Sequence, residues 1–229
     1  ENNKVTTRKR RFVENAYNKK ISEVYFMDDN LLGKQNKKKI LSYLKKETSK
    51  FDVVILIDYG HGFIDKDIYD VLKLKAKYLA INCQTNSANL GFNLITKYPV
   101  SDFICIDEPE LRLAASNNTS EIQEIVKNQI TKKIKCKNIT ITRGRNGSCS
   151  YLNSNFLNTP ALISDKVIDT IGAGDVFLVI TSLLYSIKSD QLVTNIIGNI
   201  AGALKVDILG HSKSISKSNF YAVLNHVLK

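Results

Sequence analysis

The chain has 229 residues, of which 43% are hydrophobic, and its 33 Lys and Arg against 22 Asp and Glu give a formal charge of +11. A chain of this length and composition can bury a core, which excludes a disordered protein and a disulfide-stapled miniprotein. Its apolar runs are too short to span a membrane, and its N-terminus lacks a secretion-signal pattern. We therefore expect one compact, soluble, cytoplasmic domain with no membrane partner.

The positive charge is concentrated near the N-terminus, since residues 1–50 hold 14 of the basic and 6 of the acidic residues. Such a surface fits an anionic partner or a solvated face, but no recognition motif accompanies it, so we expect no nucleic-acid partner. The four cysteines form no C-x-x-C pair, which predicts reduced thiols in the core: Cys83, Cys105, Cys136 and Cys149.

The chain begins with two predicted strands, at residues 4–13 and 22–27, around a turn at residues 18–20. Thr7, Lys9 and Arg11 alternate along the first strand and so share one of its faces. Two cations on that face could bind one ligand, and an exposed basic strand explains them equally well.

The middle of the chain alternates short apolar runs with longer amphipathic ones, which is typical of an α/β fold. The runs predict strands at residues 53–57, 78–82, 102–106 and 138–142, and helices at 66–76, 89–97 and 120–135. A helix before each strand indicates a parallel sheet, whose carboxyl edge binds ligands in such folds. The last third predicts helices at 172–187, 191–209 and 216–228.

Residues 169–177 read D-T-I-G-A-G-D-V-F and lead into an apolar helix. Gly172 and Gly174 permit a tight turn and close approach of a ligand to the backbone. The start of the helix offers unpaired N–H groups and the positive end of its dipole, so an anion is the natural occupant. Asp175 could cap this helix or serve as a general base beside a phosphoryl group.

This segment resembles the D-T-x-G-A-G-D-x-F signature of the ribokinase-like, or PfkB, carbohydrate kinases at every defined position. The resemblance implies a three-layer, Rossmann-like α/β fold and ATP-dependent phosphotransfer to a sugar hydroxyl. It also implies that Asp175 is the catalytic base and that the backbone of Gly172, Ala173 and Gly174 forms the anion hole.

Two further segments are similar to elements of that family. Without the resemblance, the T-x-G-x-x-G loop at residues 142–147 fits either a glycine-containing hairpin or a binding loop. The resemblance implies that Thr142, Gly144 and Gly147 contact ATP. Asp107 and Glu110 are helix caps on their own, and by resemblance they match the N-x-x-E element that organises Mg²⁺, with aspartate in place of asparagine.

Two asparagines are weaker nucleotide-binding candidates. Asn82 opens an amide-rich stretch, residues 82–89, that could bind a nucleotide or make ordinary turns. Asn199 lies among small residues that suit helix packing, on a helix that forms part of the adenine pocket in the resembled family.

The substrate candidates come from a narrower resemblance, to heptose 7-phosphate kinases. Asp58 opens a D-Y-G-H-G loop that is similar to their D-Y-x-K-G loop, with His61 in place of the lysine. Their T-x-K-x-R run matches the strand that carries Lys9 and Arg11. The resemblance therefore implies that Asp58, Lys9, Arg11 and Asp175 contact a sugar or sugar phosphate.

The resemblance begins inside the family's usual domain, so we expect residues 1–229 to be a partial domain that lacks its N-terminal portion. Residues 1–30 would be edge strands near the lid, and 50–229 the nucleotide-binding core. The parent protein could be a homodimer or carry a fused nucleotidyltransferase. Two functions stay open: a sugar kinase using ATP and Mg²⁺, or a truncated, non-catalytic module for nucleotide binding or oligomerisation.

Overall fold

The computed structural model describes residues 6–14, 19–28, 32–86, 89–162 and 167–227. A two-stranded antiparallel sheet comes first, formed by β1 (Arg8–Glu14) and β2 (Lys19–Phe26). A six-stranded sheet follows, in which spatial order matches chain order. Its strands are β3 (Val54–Asp58), β4 (Leu79–Cys83), β5 (Phe103–Asp107), β6 (Asn138–Thr142), β7 (Ser148–Leu152) and β8 (Asn155–Thr159). The first four of these run parallel, and β7 and β8 are antiparallel.

Helices cover both faces of the large sheet. They are α1 (Lys34–Glu47), α2 (Lys66–Lys75), α3 (Glu108–Ala115), α4 (Ile122–Ile125), α5 (Thr131–Lys133), α6 (Ala173–Ser186), α7 (Gln191–Val206) and α8 (Lys217–Val227). A π-helical turn, Val126–Ile130, joins α4 to α5. None of the helices in the described ranges is long and apolar enough to cross a membrane.

The alternation of side chains along β5 divides the core into two layers. Ile104 and Ile106 are fully buried in the cluster that α2, α3 and α4 complete on one face. Phe103 and Cys105 point to the opposite face, where they pack against α6. The predicted three-layer α/β fold is confirmed, and β5 is its buried central strand.

The structure corrects three expectations about local structure. Residues 89–97 contain turns and a single 3₁₀ turn, Ile95–Lys97, instead of a helix. The Asn93 side chain donates to the backbone oxygens of Asp58 and Gln84, and such amide bonds compete with helix formation. Lys19 and Lys20 pair within β2, so they are not turn residues. The predicted hairpin itself is confirmed, although its turn and residues 4 and 5 lie outside the described ranges.

All four cysteines are unpaired and buried, as expected for core thiols. Burial raises the pKa of each thiol, and for Cys136 the raised value is about 11. Thiols with raised pKa values are poor nucleophiles at neutral pH. The cysteines therefore contribute packing and not reactivity.

Candidate active site

The parallel strands β3 to β6 end at one edge of the sheet and bring the predicted motifs together. The registers pair Asp58 with Cys83, and Asp107 with Thr142, at the carboxyl ends of these strands. Ligands of open α/β sheets bind at this edge. The segments that follow β3, β4, β5 and β6 thus face the same region as the start of α6.

Asp175 lies in the first turn of α6, directly behind a glycine turn. Gly172 is the N-cap of the helix, with φ of +79°, a conformation that glycine adopts without strain. The carboxylate of Asp175 reaches across the edge and accepts a hydrogen bond from Gln84 Nε2 at 2.9 Å. This bond orients the carboxylate towards the segment after β4. Gln84 belongs to the amide-rich stretch at residues 82–89, but the sequence analysis did not single it out as a site residue.

Tyr59 brings the N-terminal sheet to the same place. Burial raises the pKa of Tyr59, and the nearby charge of Asp175 raises it further. Lys9 Nζ lies 5.5 Å from the centroid of the Tyr59 ring and 5.1 Å from that of Tyr25. Arg11 is instead engaged within the hairpin, where its Nε lies 2.7 Å from Glu23 Oε1. Of the two predicted substrate cations, Lys9 is the one held against the large sheet.

Asp107 and Glu110 form a reciprocal capping box at the start of α3. Glu110 N donates to Asp107 Oδ1 at 2.8 Å, and Asp107 N donates to Glu110 Oε2 at 2.9 Å. The other oxygen of Glu110 accepts from Thr85 N at 3.0 Å, which fastens α3 to the segment after β4. Burial, and then the neighbouring Asp107, raise the pKa of Glu110 to about 7. Burial also raises the pKa of Asp107.

The capping box is compatible with a magnesium site. Mg²⁺ takes oxygen ligands and is commonly held by one or two carboxylates together with water and substrate phosphates. Asp107 and Glu110 supply two carboxylates of this kind, and each oxygen that accepts one N–H bond keeps a second lone pair. No group of three or more His, Cys, Asp or Glu that could hold a metal occurs within the described ranges, so these two would bind the ion together with phosphate and water.

The loop after β6 is closed by its own backbone. Arg143 N donates to Gly147 O at 2.8 Å, and Gly147 N donates to Gly144 O at 3.0 Å. Gly147 has φ of +78°, and a Cβ there would lie 2.0 Å from the backbone oxygen of Thr159. The second glycine of the motif is therefore required by close packing against the end of β8, whereas a Cβ at Gly144 would meet open space.

Three other predicted residues are held by bonds within the protein. The buried Asp58 carboxylate accepts from Tyr98 Oη at 2.8 Å and from Gly60 N at 2.9 Å, and it pairs with Lys97. Asn82 Nδ2 donates to Cys105 O at 2.8 Å, and Asn199 Nδ2 donates to Pro160 O at 2.9 Å. These bonds give the three side chains structural roles, and their ligand contacts stay predictions.

The fold and this edge define the chain as an α/β protein with a glycine turn at the ligand-binding edge of a mostly parallel sheet. Residues 72–191 match the family model of the pfkB family carbohydrate kinases. Because the match covers just over half of the chain and includes the Gly172 turn and Asp175, the chain belongs to this family.

Two kinds of relative are similar to this chain, and the solved structures among them share its fold. The chain is 23% identical to the bifunctional protein HldE of Shewanella loihica over 188 residues, which is 81% of this chain and 38% of HldE. The solved structure of Arabidopsis thaliana ribokinase complexed with ribose and ATP matches at a TM-score of 0.64 and 14% identity, covering 89% of this chain and 65% of that one. The solved structure of Thermotoga maritima ribokinase matches at a TM-score of 0.69 and 18% identity, covering 96% of this chain and 70% of that one. This chain thus spans well under half of its curated relative.

Proposed function

We propose that the complete protein transfers the γ-phosphoryl group of ATP to a hydroxyl of a sugar or sugar phosphate. The observation that carries this proposal is the position of Asp175, one turn behind the glycine N-cap of α6 and bonded to Gln84 at the ligand-binding edge. A carboxylate there can accept the proton of an attacking hydroxyl, while the N–H groups of the turn face the phosphate. Membership of the carbohydrate kinase family supports the same reaction.

Each part of the edge takes a role in this reaction. Asp175 is the general base, and the amides of Gly172, Ala173 and Gly174 would stabilise the charge that develops on the transferred phosphate. The Ala173 N–H, which donates to Thr170 O at 3.3 Å, would exchange that bond for one to the phosphate. Bound Mg²⁺ would neutralise phosphate charge, and Asp107 and Glu110 are the residues that would hold it. The proposed nucleotide contacts are Thr142, Gly144, Gly147, Asn82 and Asn199.

A phosphorylated heptose is the finer proposal for the acceptor. Lys9 lies over the ring of Tyr59, and the charge of Asp175 is close enough to Tyr59 to raise its pKa. A cation therefore lies near the proposed base, on the side of the N-terminal sheet. An acceptor with a phosphate at one end and a reactive hydroxyl at the other would bridge Lys9 and Asp175. The similarity to HldE supports this acceptor and, in the complete protein, a fused nucleotidyltransferase. We place the reaction in the cytoplasm, where ATP is available.

The test is a phosphorylation screen with the complete gene product, using sugars and sugar phosphates that include heptose 7-phosphates. Asp175→Asn keeps the shape of the side chain and removes the base, so kcat should fall by about 10²–10⁴-fold while ATP still binds. Asp52→Asn is the matched control, because the Asp52 side chain is 92% exposed and far in sequence from the motif. Unchanged turnover in Asp175→Asn would refute the role of the base. A wild-type protein that binds ATP and phosphorylates no acceptor would instead be the non-catalytic module.

A further inference from the structure

Lys205, in the last turn of α7, is a buried lysine with an uncommon set of neighbours. Its residue is 5% exposed, and its Nζ donates a hydrogen bond to Gly210 O at 2.7 Å. Within the described part of the chain, which leaves out Asp165, Lys205 forms no ion pair with a carboxylate. Burying an ammonium without a carboxylate partner is costly, so a lysine is rarely found in such a place.

The ammonium lies directly against the glycine turn of the candidate active site. A Cβ placed on Gly172 would be 3.2 Å from Lys205 Cε and 3.8 Å from its Nζ. His211 is the other side chain at this position, with its Cε1 at 3.5 Å. A side chain at Gly172 would therefore press against Lys205, in addition to the strain of its positive φ.

Hydrogen bonds from the end of α7 and the loop after it reach residues 168–171 of the phosphate turn, the name used here for residues 168–174. Ile168 N and Asp169 N both donate to Val206 O, at 2.9 and 3.0 Å. Asp169 uses one carboxylate oxygen to accept from Ile171 N and the other to accept from Gly210 N. The Asp169 carboxylate is thus engaged by backbone N–H groups. These bonds hold Asp169 in place, and among the described residues the Lys205 ammonium donates to Gly210 O.

We propose that Lys205 is a built-in cation of the phosphate turn, which positions the Gly172 backbone and adds positive charge behind the anion hole. The proposal rests on the phosphotransferase function proposed above. An ammonium in a buried site exerts a stronger field than one in water, and a carboxylate partner would cancel that field. The charge stabilises the transferred phosphate most strongly in the transition state, when negative charge moves onto oxygens beside the turn.

The decisive variant is Lys205→Met, which keeps the length and the apolar stem of the side chain and removes the charge. We expect kcat to fall by about 10- to 100-fold, less than for loss of a direct anion-hole donor, with little change in the KM of the sugar. ATP affinity should fall while adenosine affinity does not, because adenosine carries no phosphate. Lys213→Met is the control, since Lys213 is an exposed lysine three residues after Gly210.

Ammonium rescue separates charge from packing. Lys205→Ala leaves room for a small cation beside Gly210 O, so ammonium or methylammonium chloride should restore part of kcat, and sodium chloride at the same ionic strength should not. If Lys205→Met does not fold, Lys205→Ala prepared in ammonium chloride still separates loss of charge from loss of packing. If ammonium restores the folding of that variant but not its ATP affinity, the proposal is overturned. Wild-type kcat and ATP affinity in Lys205→Met would also overturn it. A third outcome would refute only the proposed function: the wild type binds ATP, Lys205→Met binds it more weakly, and the wild type phosphorylates no acceptor.

Discussion

Gly147→Ala tests how the loop after β6 is built. Gly147 ends the T-R-G-R-N-G loop with φ of +78° and ψ of −131°, a backbone conformation that residues with a side chain rarely adopt. An alanine Cβ would lie 2.0 Å from Thr159 O and 2.6 Å from the backbone of Pro160 and Ala161. All three contacts are to backbone, so no side-chain rotation can relieve them.

Two costs add at this position. Forcing a residue with a Cβ into positive φ costs about 1–2 kcal/mol. Making room for an extra methyl group in a packed region costs about 1–3 kcal/mol more. The expected loss of unfolding free energy is therefore about 2–5 kcal/mol, a large part of the stability of an ordinary domain. Gly144→Ala is the matched control, since its φ is +54° but nothing lies within 4 Å of its Cβ, and it should lose only the first of these costs.

Urea unfolding at pH 7 measures both variants, with the midpoint and slope compared to those of the wild type. Gly147→Ala should lose at least about 1 kcal/mol more than Gly144→Ala, since overpacking adds at least that much. If the loop also binds ATP, the KM for ATP should rise in Gly147→Ala more than in Gly144→Ala. Equal losses of stability in the two variants would show that close packing at Thr159 does not determine the loop.

Two further predictions use other features of the structure. Gly198→Ala places a Cβ 2.7 Å from side-chain atoms of both Phe177 and Thr181 and should lower the free energy of unfolding by about 1–3 kcal/mol. Gly202→Ala lies in the same helix with nothing within 4 Å of its Cβ, so it should raise the free energy of unfolding by up to about 1 kcal/mol. Urea midpoints that move in the same direction in the two variants would contradict this. The pKa of Glu110 is raised to about 7, so the folded protein holds this proton more tightly than the unfolded chain, and the resulting stability is full below pH 4.5 and disappears as the pH rises to about 7. Between pH 4.5 and 8 the wild type should therefore lose up to about 3 kcal/mol of unfolding free energy that Glu110→Gln does not lose. Glu124→Gln, at an exposed helix position, is the control and should keep the wild-type pH profile. A wild-type profile in Glu110→Gln would argue against the raised pKa.

The parallel sheet was predictable because its strands are continuous apolar runs. Residues 138–142 form β6 with the predicted ends, and the other three predicted parallel strands are displaced by one residue. The sequence analysis missed α1, since none of its residues is fully buried and its Lys-rich surface hides the apolar stripe. It also missed β8, a five-residue strand with only one buried position. Weakly buried elements carry a weak pattern, so periodicity cannot identify them.

The candidate site was predictable only where its signal is local. Asp175 and its glycines occupy nine consecutive residues, so the motif is visible without any tertiary information. Gln84 meets Asp175 across 91 positions, and Lys205 meets Gly172 across a helix and a loop. Nothing beside either residue in the sequence indicates these contacts. Their significance comes from the crossing of elements at the edge of the sheet.

The packing of α6 against α7 connects the core to the phosphate turn. Phe177, Leu178 and Tyr185 anchor α6 in the core against β5, while the first turn of the same helix points to the ligand edge. Gly198 lets α7 approach α6 closely, and Lys205 follows it by seven residues, about two helical turns, and thus lies on the same face of α7. A shift of α7 away from α6 at Gly198 would therefore also move the Lys205 ammonium relative to Gly172. Errors of about 1 Å in catalytic geometry can cost about 100-fold in rate, so buried packing far from the substrate would control the position of the anion hole.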